Sequence, residues 1–176
     1  MTVIPSKITG AFVIDVKRFV DFRGDFYRSF DVDVFRQHGL VTDWSYLATA
    51  GNTKRGTLRG VHYQADPHGE TKLVRALRGR IFDVAIDLRR ESSTYLKWDG
   101  VELSYENQRQ FYIPPGCAHG YVTLEDNSDV GYAIAGLWNQ QAARGVRWND
   151  PTFGITWPGE VTTIIERDAN YADYRE

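Results

Sequence analysis

Apolar and polar residues alternate through the middle of this chain. Between Arg80 and Leu88, the residues Phe82, Val84, Ile86 and Leu88 recur at every second position and form one apolar face, which is the period of a strand. Val101–Ser104, Gln110–Ile113 and Tyr121–Leu124 continue the pattern, and clusters of Gly, Pro, Asn and Ser separate the runs. Many short strands punctuated by turns predict an all-β sandwich or barrel. Helical signals are few. Asp31–Gly39 has an acidic start and a glycine stop, and a second short helix is expected near Arg167–Tyr174. No repeat, low-complexity tract or linker divides the sequence, so residues 1–176 read as one domain.

Candidate chemistry gathers in three places. The first is Gly56–Gln64 followed by Glu70–Arg75. His62 reads either as a satisfied core histidine or as a base, because imidazole is the side chain suited to taking a proton near neutral pH. Lys72 shares strand parity with Val74 and Ala76, so its ammonium points into the interior and needs a carboxylate or a bound anion to meet it. Arg59 has the opposite parity to His62. The two face one pocket only if the strand bulges between them, and Gly60 stands where such a bulge is tolerated.

The second place is the charged turn Asp21–Phe26, where Arg23 reads as a solvated side chain or a fork for phosphate, and Phe26 as a stacking surface. The third is Ile113–Gly120, in which His119 opens a strand after a Pro-Gly turn. Tyr132 has the parity of Val130 and Ile134, so its hydroxyl lies among apolar neighbours and requires a partner. Asp168 reads as surface charge or as the carboxylate that orients a histidine.

Composition narrows the classes. The net charge of −2 and the pI near 6.1 give no field that would draw the chain to nucleic acid or an anionic membrane. The aromatic share of 14% suits β-structure and a site that stacks on rings or sugars. No stretch of apolar residues reaches membrane-spanning length, and Met1–Asp15 lacks the apolar core of a secretory signal. A single cysteine, Cys117, excludes an internal disulfide. Together these lead us to expect a cytoplasmic protein.

At these same residues the sequence resembles the dTDP-4-dehydrorhamnose 3,5-epimerase family. The matching segments are Asp21-Phe-Arg-Gly-Asp-Phe26, Leu58-Arg-Gly-Val-His-Tyr-Gln64, Lys72-Leu-Val-Arg75, Phe82–Arg89, Gly100–Ser104, Ile113–Gly120 and Arg144–Pro158, in order and at matching spacing. The resemblance implies a double-stranded β-helix jelly roll (cupin), homodimeric, acting on a nucleotide-diphosphate sugar without metal or organic cofactor. It further implies that His62 is the base, Asp168 its orienting carboxylate, Tyr132 the proton donor and Lys72 the stabiliser of enolate charge. Arg59, His119 and Arg167 would hold sugar and diphosphate. Arg23 and Phe26 would reach the nucleotide from the partner subunit, which makes the N-terminal segment part of the neighbour's site.

Several positions depart from the family pattern. Leu47-Ala-Thr49 replaces a Gln-x-Asn pair, Arg28 replaces a Glu near the base, Trp138 replaces a tyrosine that stacks on the ligand, and Ala143 stands where a Glu is usual. These changes bear on the substrate: the base (thymine or cytosine), the deoxysugar, and epimerisation at one carbon or two. A metal-binding cupin shows a His-x-His pair. Here His62 is followed by Tyr63 and Gln64, leaving His68, Glu70 and His119 as the alternative metal set. The readings kept alongside are a single-site 3- or 5-epimerase of another deoxysugar nucleotide and a non-catalytic sugar-nucleotide binding module.

Overall fold

A computed structural model describes residues 1–175; Glu176, the last residue of the expected domain, lies outside the described residues. Six strands form one antiparallel sheet: β1 (Thr2–Pro5), β2 (Phe12–Asp15), β5 (Tyr46–Asn52), β7 (Thr71–Arg78), β10 (Gln110–Ile113) and β12 (Ser128–Ala135), in the order β1-β2-β10-β7-β12-β5. Five form a second: β6 (Leu58–Gln64), β8 (Arg80–Asp87), β9 (Trp98–Ser104), β11 (Cys117–Thr123) and β13 (Ala143–Gly145), in the order β13-β6-β11-β8-β9. Strands β3 (Phe19–Asp21) and β4 (Gly24–Phe26) make a separate hairpin, and the helices are α1 (Val32–Gln37) and α2 (Glu166–Ala169). The strand-to-strand crossings between two facing sheets define a jelly roll.

The core between the sheets draws Val74, Ala76, Phe111, Ile113 and Val130 from the first sheet, and Ile81, Ala85, Leu103, Cys117 and Tyr121 from the second. Burying each large apolar side chain contributes about 1.5–3 kcal/mol. Two further layers cover the outer faces. Helix α1 inserts Phe35 beside Leu73 and Tyr112 on the six-stranded sheet, and Asp31 caps it by accepting from the Asp33 and Val34 amides. The segment after β13 lays Val146 and Phe153, with Trp148 and Trp157 beside them, on Val61, Val84, Ile86 and Ala118 of the five-stranded sheet.

That second layer alters the meaning of the alternation in β8. The face Phe82–Val84–Ile86 is apolar, but it points outward to the chain that covers it. Its inward face alternates Ile81 and Ala85 with Asp83 and Asp87, both carboxylates fully buried. The expected helix at Asp31–Gly39 is present, with Gly39 in the left-handed region just beyond it. The expected C-terminal helix is shorter than Arg167–Tyr174. It ends at Ala169, and residues 170–175 run on without helical structure.

Candidate active site

Strand β6 bulges where the sequence suggested. His62 pairs with His119 and Arg59 with Tyr121, so three steps along β6 span two along β11. The extra residue turns Arg59 and His62 toward the same cavity. Gly60 carries a φ of +128°, and a Cβ there would lie 2.5 Å from the Gly120 Cα. Only two facing glycines allow this approach. The bulge also frees the Gly60 amide, which donates to Asp168 Oδ2 at 3.1 Å.

Asp168 arrives from helix α2 and is almost wholly buried. Its Oδ1 lies 2.9 Å from His62 Nε2 and accepts from Arg167 Nε at 3.0 Å. Burial alone would raise this carboxyl, but the bond and charge of His62, the Gly60 amide and Arg167 outweigh it and hold it below the usual carboxylate range. An ionised carboxylate only accepts, so Nε2 carries the imidazole proton and Nδ1 is the basic nitrogen.

The cavity in front of this pair has a volume of about 310 Å³ and is lined by Arg59, His62, His119, Tyr121, Tyr132, Arg167 and Asp168, with Thr163–Ile165 along one edge. Tyr132 reaches it from the opposite sheet, on β12. Burial, then the neighbouring Tyr121 and Asp83, push its phenol well above the usual value, so it stands neutral with a proton to donate. His119 holds a second carboxylate, Asp83, at 2.7 Å through Nε2, and its ring meets Tyr132 edge-on at 6.0 Å. Arg59 donates from Nε to Asn52 Oδ1 at 2.8 Å and from Nη2 to the Gly51 carbonyl at 3.1 Å. Among the described residues it has no carboxylate partner, which leaves its charge for an anion.

Lys72 points inward as its parity required and pairs with Glu70 at 2.9 Å, both side chains largely buried. The alternative metal set does not converge among the described residues. Glu70 is held by Lys72, His119 by Asp83, and His68 lies 3.2 Å from the Asn139 amide.

Lys72, held by Glu70, is not among the residues that line the cavity, and four more expected residues stand away from it. Arg23 pairs with Asp21 in the β3–β4 turn, and Phe26 is exposed on β4. Arg28 pairs with Asp31 at 2.7 Å, beside the start of α1, and Trp138 is exposed after β12. Leu47 and Thr49 face outward from the six-stranded sheet along a groove of about 490 Å³. The sequence reading passed over Asp83, Tyr121 and Asn52. The parity of Tyr121 with His119 was the available signal for one of them. Asp83 shows its role only through a partner far along the chain, His119, 36 residues away, and Asn52 joins Arg59, seven residues away, to Tyr121, 69 away.

A jelly roll enclosing a carboxylate-held imidazole opposite a neutral phenol is the frame of a cupin sugar epimerase, a class of isomerase. The comparisons with known proteins agree. A family model described as dTDP-4-dehydrorhamnose 3,5-epimerase matches residues 5–176. The dTDP-4-dehydrorhamnose 3,5-epimerase of Methanothermobacter thermautotrophicus is 41% identical, over 98% of this chain and 94% of its own. The crystal structure of the Bacillus anthracis enzyme of that name, with TDP and PPi bound, superimposes with a TM-score of 0.94 at 32% identity, covering 98% of this chain and 99% of that one. ChmJ, a 3′-monoepimerase from Streptomyces bikiniensis in complex with dTDP-quinovose, gives 0.89 at 28% identity, over 97% and 86%. The chain belongs to the dTDP-4-dehydrorhamnose 3,5-epimerase family, and it is an epimerase of a nucleotide-linked deoxysugar.

Proposed function

We propose that the protein epimerises a dTDP-linked 4-keto-6-deoxysugar at C3 and C5, with His62 as base and Tyr132 as acid. The ketone acidifies the hydrogens on both neighbouring carbons. His62 Nδ1 takes one of them, the electron pair moves into the C4 carbonyl as an enolate, and the Tyr132 hydroxyl returns a proton to the opposite face. Asp168 keeps the imidazole oriented and offsets the charge it gains. Lys72 stabilises the enolate oxygen, while Arg59, His119 and Arg167 hold sugar and diphosphate. The ketone is itself the electron sink, so the reaction as proposed needs no cofactor.

The observation that carries this reading is the 2.9 Å His62–Asp168 contact at a cavity that Tyr132 enters from the facing sheet. Incubation with the dTDP-linked 4-keto-6-deoxysugar in deuterium oxide tests it. Label is expected at C3 and C5, and His62→Ala should lower its incorporation by about 10²–10⁴-fold. Unchanged incorporation in that variant would remove His62 from the reaction. A single-site epimerase is the second reading, favoured by the likeness to a monoepimerase; label at one carbon only selects it.

We further propose a cytoplasmic homodimer. Among the described residues no helix is long and apolar enough to cross a membrane. The β3–β4 hairpin presents Phe19, Val20, Phe22 and Phe26 to solvent, Phe22 almost completely. Such a patch asks for a cover, and a second copy would supply it while receiving Arg23 and Phe26 against its nucleotide. Arg28 and Trp138, also exposed, fit the same nucleotide-facing role. Light scattering that gives a monomer mass at micromolar concentration would reject the dimer.

A further inference from the structure

The register of β6 with its two neighbours leaves an unusual gap beside the imidazole. His62 pairs with His119 on β11 and with Gly145 on β13. Residues paired directly across an antiparallel ladder send their side chains to the same face. His62 is therefore flanked by an imidazole on one side and by no side chain on the other. The gap is filled from elsewhere. A Cβ built on Gly145 would meet Tyr171 Cδ2 at 2.8 Å and lie closer still to Cε2 and Cζ, so the phenol ring occupies the space a side chain at 145 would take. That ring meets the His62 imidazole edge to face, with centroids 6.0 Å apart and planes at 76°.

Tyr171 lies three residues beyond Asp168, so one stretch of chain delivers both the carboxylate that holds Nε2 and the ring beside the imidazole. The stretch is anchored past Tyr171 as well. Asp173 pairs with Arg147 at 2.6 Å, and the Tyr174 hydroxyl lies 3.0 Å from that of Tyr95. Tyr174 also packs on Phe153 with centroids 5.6 Å apart. Among the described residues the Tyr171 hydroxyl has no hydrogen-bond partner within the protein, so the ring itself makes the contact.

We infer that Tyr171 is a positioning residue for His62, and that Gly145 is glycine because this ring must enter. The ring blocks the imidazole from turning away from Asp168 toward β13, so the basic nitrogen stays aimed at the cavity. This rests on His62 being the base, and the test separates the two ideas. Deuterium exchange into the dTDP-linked 4-keto-6-deoxysugar is measured for Tyr171→Ala, Tyr171→Phe, Gly145→Ala and the Gly145→Ala/Tyr171→Ala pair, with His62→Ala as control. Misplacement of a base by about an ångström is expected to lower kcat by roughly 10- to 100-fold in Tyr171→Ala, with KM within about twofold. Tyr171→Phe restores kcat, because the ring and not the hydroxyl is used. Gly145→Ala matches the loss, since its methyl expels the ring. The double variant is no worse than the worse single one, because the clash is gone with the ring.

A kcat for Tyr171→Ala within about twofold of the parent overturns the inference, as does a Tyr171→Phe loss equal to that of Tyr171→Ala, or additive losses in the pair. Near-ultraviolet circular dichroism and dTDP binding report folding, and Tyr171→Leu carries the same test if the alanine variant does not fold. Full exchange in His62→Ala defeats the base assignment. Abolished exchange there with an unaffected Tyr171→Ala defeats only the role of Tyr171.

Discussion

Two carboxylate–imidazole pairs stand side by side in this barrel, and they are built differently. His62 and His119 are register partners on adjacent strands. Each gives Nε2 to an aspartate, at 2.9 Å to Asp168 and 2.7 Å to Asp83. The His62 ring is partly open to the cavity, while His119 lies nearly buried in the cavity wall and Asp83 wholly buried behind it. Asp168 has donors on both oxygens and is held low. Burial pushes Asp83 up against the pull of His119 and Lys72, and its Oδ2 has no partner among the described residues. The residue types alone do not distinguish the proposed base from the proposed ligand contact. The number of donors on the carboxylate and the exposure of the ring do.

Removing the stabilised carboxylate should have the largest effect. Asp168→Asn leaves the His62 imidazolium without its counter-charge, and exchange into substrate should fall by about 10²–10⁴-fold. Stability should fall too, with a defined sign. A carboxyl whose folded value is depressed stabilises the fold above its unfolded value near 3.9 and loses that contribution as the pH drops through the folded value. The loss of Tm in Asp168→Asn should therefore be present at about pH 7 and shrink on acidification. Next in size is Gly60→Ala. Its methyl clashes with Gly120 and its φ is foreign to alanine, at a cost of about 1–3 kcal/mol. Loss of the bulge should lower exchange by roughly 10²-fold as Arg59 and His62 part and the Gly60 amide leaves Asp168. A Gly60→Ala enzyme with parental kcat would show that the bulge does not assemble the site.

Asp83→Asn should act oppositely on stability and more weakly on rate. Its amide oxygen still accepts from His119, so kcat should fall by less than about tenfold. Because the folded Asp83 value is raised, its stabilisation belongs to the protonated form: full below the unfolded value near 3.9 and lost as the pH rises through the folded value. Neutralising it should not lower Tm at about pH 7. Calorimetry on both variants across pH compares the pairs directly, and equal losses at neutral pH would erase the distinction drawn between them.

Sequence pattern reached different depths in these regions. Alternation located β8, and the glycine between Arg59 and His62 announced the bulge, because both are local consequences of strand geometry. The demand for a partner to Lys72 was also legible, and Glu70 meets it two residues away. The inner face of β8 was not. Its alternation favours the apolar outer side, since the chain beyond β13 covers that side and makes it a second core. Asp83 toward His119, Asn52 toward Tyr121 and Tyr171 toward His62 act through contacts between segments distant in sequence, and no periodicity encodes which segments become neighbours. The pairing of His62 with Asp168 came from family likeness, for the same reason.

A third buried carboxylate supplies the control that the comparison needs. Asp87 lies four residues beyond Asp83 on the same inward face, but among the described residues its side chain bonds Arg89, Ser92 and Thr94 and no imidazole. Burial would raise it, yet Arg89, Ser92 and Thr94 outweigh that and draw it down to about 2. Arg89 grips both oxygens at 2.8 Å, and the Ser92 and Thr94 hydroxyls donate to Oδ2. Its task is to fasten the loop between β8 and β9. Asp87→Asn should leave exchange within about twofold of the parent, since Asp87 touches nothing in the cavity. Its depressed value places the stabilisation above the unfolded value near 3.9, to be lost as the pH falls through about 2. The variant should therefore lose Tm at neutral pH and converge on the parent near pH 2, the sign shared with Asp168 and opposite to Asp83. If its exchange fell as far as that of Asp168→Asn, buried carboxylates on this face would matter to catalysis through the frame, and the contrast between the two imidazole pairs would lose its chemical meaning.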